Sequence, residues 1–168
     1  MNFLPRVAEH LCKAARSSND GEADAFGRSA FNRYYYAAYL STRDLLAVID
    51  GAWSRTPHSN IPGILEDDLR KRFQRNLKRL QDKGLISEGK AKSLVSQVGA
   101  AGSEIASILR IAYTVRVTAD YIPEEKVIFE PTTFQLATHT EAEAKNWLHR
   151  VDRNKGIVLN AAKEIGLV

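Results

Sequence analysis

The sequence has a single cysteine, Cys12, so no internal disulfide can form. It has no apolar stretch near the roughly 18 residues that a membrane-spanning helix needs. Its start, Met-Asn-Phe-Leu-Pro-Arg, lacks the basic region and apolar core of a signal peptide. Together these gaps lead us to expect a cytoplasmic protein without membrane contact. No Gly-rich phosphate loop is present, and His10, His58, His139 and His149 show no metal-ligand spacing with Cys12 or with carboxylates. The expectation is therefore no cofactor and no metal. There is no internal repeat and no low-complexity tract.

What is there reads as helix. The 168 residues suit one domain able to bury a core, with 44% hydrophobic and 26% charged residues. Val7, Leu11 and Ala14/Ala15 repeat at helical spacing over about Phe3–Arg16, and Ser17–Gly21 breaks the pattern. A second helix is predicted from about Glu22 to Asp50, with Phe26, Ala30, Tyr34, Ala37/Ala38, Ser41, Leu45 and Val48 on one face. Gly51–Gly63, with Pro57 and Pro62, reads as a loop. A third helix follows over about Ile64–Lys83, closed by Gly84. A fourth runs over about Ser87–Asp120, with Leu94, Val98, Ala101, Ile105, Ile108/Leu109, Ala112 and Val115/Arg116 inward.

Gly99 and Gly102 weaken that fourth helix intrinsically, which suggests a close helix crossing there. Val127–Phe129 reads as a short extended piece. Thr138 or Thr140 caps a last helix reaching about Ile165, with Trp147, Val151, Val158 and Ala162 buried. The fold class expected is all-α: an up-and-down bundle of four to five helices with one irregular loop excursion.

The net charge of +4 permits an anionic partner such as RNA or a nucleotide without demanding one. The basic residues cluster: Arg70, Lys71, Arg72, Arg75, Lys78, Arg79 and Lys83 share one short segment. It reads either as a solvated face balanced by Glu66, Asp67, Asp68 and Asp82 or as a track for an RNA backbone.

Two stretches carry the strongest pattern: Ser29-Ala-Phe-Asn-Arg-Tyr-Tyr-Tyr-Ala37 and Arg116-Val-Thr-Ala-Asp-Tyr121. Arg33 sits among aromatics, and a charge there needs a partner or an anionic ligand. Asp120 is one helical turn beyond Arg116 and can pair along its own helix or reach across to Arg33. The aromatics Tyr34–Tyr39 read as core packing rather than as a base-stacking platform.

The order Ser-Ala-x-x-Arg-x-Tyr-Tyr-Ala, then Arg-x-x-Ala-Asp-Tyr, resembles the HEPN superfamily (higher eukaryotes and prokaryotes nucleotide-binding). His58 is similar to a histidine that many of its members carry after the same helix. The resemblance spans roughly Phe26 to Tyr121, within a single domain whose core is about residues 22–121, and a C-terminal accessory helix at about 139–166 lies outside it. It implies a helical bundle, often a homodimer, and for many members metal-independent endoribonuclease activity in toxin–antitoxin or phage-defence systems. Others pair with a nucleotidyltransferase-like antitoxin.

The family's catalytic pattern is Arg, four to six residues, then His. Arg116 matches the arginine, and Tyr121 stands where the histidine is expected. The resemblance thus points to Arg116, Tyr121 and His58 as catalytic candidates, with Arg33, Asp120 and Tyr36 binding or structural. It leaves a non-catalytic interaction module open beside the ribonuclease. The chemistry is clear in outline: a guanidinium forks onto phosphate, an imidazole shuttles protons near neutral pH, and a tyrosine donates a hydrogen bond.

Overall fold

The computed structural model describes residues 3–168; Met1 and Asn2, at the start read above for a leader segment, lie outside them. Helix dominates, as α1 (Leu4–Ser17), α2 (Asp20–Ile49), the short α3 (Ile61–Gly63), α4 (Leu69–Asp82), α5 (Glu88–Tyr121) and α6 (Glu141–Glu164). This is the expected all-α helical bundle, supplemented by one small antiparallel sheet. No helix among the described residues is long and apolar enough to cross a membrane.

The chain divides into two compact units, one formed by residues up to Ser41 with Leu109–His149, the other by Thr42–Ile108 with Arg150–Val168. In the first unit the core gathers Phe31, Tyr34, Tyr35, Ala112, Val115, Phe134 and Trp147, all buried. Each fully buried side chain of that size contributes about 1.5–3 kcal/mol by leaving water.

The α1 face differs from expectation by a rotation. Ala8, Cys12 and Ala15 are buried, while Val7 is 43% exposed. Small residues at i, i+4 and i+7 let α1 lie close to α2, where the Cys12 sulfur sits 3.6 Å from the Tyr34 hydroxyl. Burial pushes the Cys12 thiol up to about 12 and Tyr34 further still, so both stay neutral.

The sheet also belongs to this unit. Its strands β1 (Ile128–Phe129), β2 (Phe134–Leu136) and β3 (His139–Thr140) pair in that order, with Phe129 opposite Phe134 and Leu136 opposite His139. Only the first was expected. Phe134 is fully buried, edge-on to Phe31 at 5.8 Å. Ala137, at φ 52°, turns the chain between β2 and β3. Thr140 caps α6: its hydroxyl accepts from the Glu143 N–H at 3.3 Å, and the Glu143 carboxylate accepts from the Thr140 N–H at 2.8 Å.

In the second unit, two short 3₁₀ turns, Gly51–Arg55 and His58–Asn60, replace the expected loop. The helix then starts at Ile61 and passes through a π-helical turn, Ile64–Asp68, before α4. That turn meets α5 at Gly102, where a Cβ would lie 2.3 Å from the Leu65 carbonyl oxygen. The expected close crossing is therefore present at Gly102. Gly99 has only a 3.9 Å neighbour and does not require it. Val48, expected inside, is 55% exposed, and Ile49 takes the buried position.

Candidate functional site

The C-terminal turn of α5 is anchored before any ligand is considered. The last carbonyls of a helix lack partners within it. Arg28, on α2, supplies them: its two terminal nitrogens donate to the carbonyls of Thr118, Ala119 and Ile122 at 3.0–3.1 Å and to that of Glu125. A positive charge there also suits the negative end of the helix dipole. Asp24, one turn earlier, receives Arg28 Nε at 3.0 Å and the Val127 N–H at 2.8 Å. Burial alone would raise the Asp24 carboxyl; the Val127 N–H and Arg28 outweigh it and hold it below its ordinary value. Gly27 lets Val127 approach, with its methyls 3.1 Å from where a Cβ would stand.

On this fixed turn sit Arg116, Asp120 and Tyr121. Arg116 Nε lies 2.9 Å from Asp120 Oδ2, the i+4 pair expected from spacing. The N–H is out of line for a hydrogen bond, so the contact is a charge pair. The guanidinium carbon lies 5.2 Å from the centre of the Tyr121 ring. The Arg116 side chain is 17% exposed, whereas Tyr121 is 67% exposed. Burial would lower the pKa of Arg116; its polar contact with Tyr121 and the Asp120 carboxylate reverse this and hold it above the ordinary value.

The tie across to α2 is not the expected one. Asp120 Oδ1 accepts from Asn32 Nδ2 at 2.7 Å, and Arg33 instead lies over the Tyr36 ring at 6.0 Å. Adjacent helical residues point about 100° apart, so only one of Asn32 and Arg33 can face α5. Asn32 is 8% exposed and its Oδ1 has no hydrogen-bond partner among the described residues. Such buried orphan acceptors are rare and invite an explanation.

Around this core Tyr35 packs against Tyr36, Tyr39 and Tyr113, at ring separations of 5.1–6.0 Å. Tyr34, Tyr35 and Tyr39 are buried and serve as core, as expected; Tyr36 is half-buried and Tyr113 is 45% exposed. Burial pushes the Tyr35 hydroxyl far up, so it stays protonated.

No protein-family model, no curated protein and no solved structure matches the chain.

The site residues thus fall into two groups. Arg33, Tyr36, Arg116, Asp120 and Tyr121 belong to the first unit, and Asn32 and Arg28 join them. Asn32 lay inside the quoted Ser29–Ala37 stretch, but its identity gave no sign of an ion-pair role. Arg28 was signalled only by Asp24 one turn before it. His58 belongs to the second unit, half-buried on its own 3₁₀ turn.

The second unit also contains a groove of about 1040 Å³ lined by Arg70, Gln74, Leu77, Lys92, Ser96 and Gly99 among others. Its charges are largely spent internally, with Lys78 on Asp82 and Lys92 on Glu88. Among the described residues no group of three His, Cys, Asp or Glu side chains could hold a metal ion.

Proposed function

We propose that this chain is a HEPN-like, RNA-associated helical protein whose binding centre is Arg116 with Tyr121. One observation carries the reading: a shielded guanidinium, fixed through Nε by Asp120, lies under an exposed tyrosine ring at the end of a firmly capped helix. A guanidinium so oriented can offer its remaining N–H groups to a phosphate as a fork. The exposed ring of Tyr121 can stack a base or donate to a phosphate oxygen.

In its catalytic form the protein is a metal-independent ribonuclease of a prokaryotic toxin–antitoxin or defence system. Arg116 would stabilise the charge that develops on phosphorus during attack by a 2′-hydroxyl. Tyr121 would donate a proton to the leaving oxygen. Arg33 and Tyr36 would shape the rim. A homodimer would bring two Arg116 side chains to one phosphate.

The test is incubation of the purified protein with single-stranded RNA in the absence of divalent metal. We expect cleavage, and its loss in Arg116→Ala. Intact RNA across a range of sequences and pH would remove the enzymatic form.

A second reading is favoured by a specific observation: Asp120 is held by both Arg116 and Asn32, as in a structural tie, and Tyr121 replaces the acid–base histidine. In that form the bundle is a non-catalytic module that dimerises or holds a partner such as a nucleotidyltransferase-like antitoxin. RNA binding without cleavage, or capture of such a partner by a surface that includes Tyr121, would decide for it.

A further inference from the structure

The basic segment of α4 separates into two sets once its ion pairs are assigned. Lys71 is 3.4 Å from Asp67, Arg72 is 2.9 Å from Asp50, and Lys78 is 2.7 Å from Asp82. Among the described residues, Arg70 on the opposite side of the helix and the exposed Arg75, Arg79 and Lys83 have no acidic partner. The latter three recur every four residues, so they form one line along the helix, advancing about 6 Å per step. Arg72 stands at the head of the same line, one turn before Arg75. Its Nε is buried with no hydrogen-bond partner among the described residues.

Two features say what such a line fits. It has no hydrophobic anchor: every exposed residue of α4 is polar, and Leu69, Phe73 and Leu77 are buried. A protein partner draws its affinity mainly from buried apolar and aromatic anchors, which this face does not offer. A phosphodiester backbone needs only regularly spaced cations, and it gains by releasing its condensed counterions. One row of cations, without a second bank, matches one strand.

We propose that the Arg75–Arg79–Lys83 line of α4 is a docking track for the backbone of single-stranded nucleic acid. It is a surface of the second unit, separate from the Arg116 cluster of the first. It reads phosphates only, so it selects neither base nor sugar. It does not depend on the protein being a nuclease.

The test is fluorescence anisotropy with a short labelled oligouridylate and the matching oligothymidylate, titrated at several salt concentrations. The wild type is expected to bind both alike, with affinity falling steeply as salt rises. Arg75→Ala/Arg79→Ala/Lys83→Ala is expected to lose at least about tenfold in affinity, and its logarithmic salt slope should shrink by about 2, three contacts at ~0.7 each. The comparison variant Lys71→Ala/Lys78→Ala/Lys92→Ala removes the same charge from ion-paired positions and should change affinity less than about threefold. In an Arg116→Ala background, which removes the proposed centre, the two triple variants should still differ in the same direction.

Equal losses in the two triple variants would overturn the proposal in favour of general charge attraction. Competition by polyglutamate as effective as by oligouridylate would overturn it in favour of an acidic protein partner. No binding by the wild type at low salt would also overturn it. The side chains substituted in the two triple variants are exposed, and circular dichroism of each variant confirms that the helices persist.

Discussion

The arginines at the end of α5 and those along α4 carry the same charge and do opposite work. Arg28 and Arg116 are both shielded, but Arg28 is met by carbonyls and Asp24, whereas Arg116 has the Asp120 charge and the Tyr121 ring beside it and no hydrogen-bond partner for its Nε among the described residues. Arg75 and Arg79 are exposed and unpaired among the described residues. A shielded guanidinium is costly unless its hydrogen bonds are met, so its position is fixed and its loss is felt by the fold. An exposed one contributes little to stability, so its loss is felt only by a partner. Position along a helix, rather than residue type, decides which work an arginine does.

Substitutions that disturb the scaffold beneath each region sharpen this contrast most. Gly102→Ala places a methyl 2.3 Å from the Leu65 carbonyl oxygen, which belongs to the backbone and cannot swing away. It should cost about 1–3 kcal/mol or more, read as the midpoint of urea unfolding. Gly99→Ala, with open space around it, should be neutral or stabilising by up to about 1 kcal/mol through helix propensity. Equal behaviour of the two variants would contradict the close crossing.

Arg28→Ala is next. It removes a donor from four carbonyls, two of which keep a backbone N–H, and leaves Asp24 with only Lys126, at 3.7 Å, as a cationic partner among the described residues. A loss of about 2–4 kcal/mol is expected, with faster amide exchange in the last turn of α5. A surface-like loss under about 0.5 kcal/mol would show that the cap is not needed.

Asp24 gives the region at the end of α5 a pH dependence. Its folded pKa is depressed below the unfolded value of about 3.9. The stabilisation is therefore fully present above that value and is lost as pH falls through the lower, folded pKa. Thermal melts between about pH 6 and pH 2 should fall less steeply for Asp24→Asn than for the wild type. Parallel curves would show that Asp24 carries no such share.

The smallest effect belongs to the exposed line. Arg75→Ala/Arg79→Ala/Lys83→Ala should change stability by less than about 0.5 kcal/mol per residue while weakening nucleic-acid binding.

Much of this was legible in the sequence. The helices were bounded to within about three residues because apolar periodicity, Gly84 and Pro123 mark them directly. The Arg116–Asp120 pair follows from one turn of spacing, and the Thr140–Glu143 box from residue type. What stayed hidden depends on rotation and on distant partners. The α1 face turned by one residue because Ala8 and Cys12 pack more closely than Val7 and Leu11 could. Asn32 rather than Arg33 meets Asp120 because α2 presents that side to α5. Arg28 caps carbonyls some ninety residues away, and no local pattern encodes that. The β2–β3 hairpin stayed hidden because strands of two and three residues are too short to show an alternating pattern.

The central claim is that Arg116 is fixed by the fold for use by a ligand, and the most direct measurement compares Arg116→Ala with wild type in two readouts. One is the melting temperature; the other is binding and cleavage of single-stranded RNA in chelator. We expect a loss of about 1 kcal/mol in stability, since the Asp120 side chain is 27% exposed and Asn32 still holds it, together with loss of cleavage. A large fall in melting temperature, of the size expected for Arg28→Ala, with RNA handling no different from wild type, would contradict the claim and make Arg116 a structural tie.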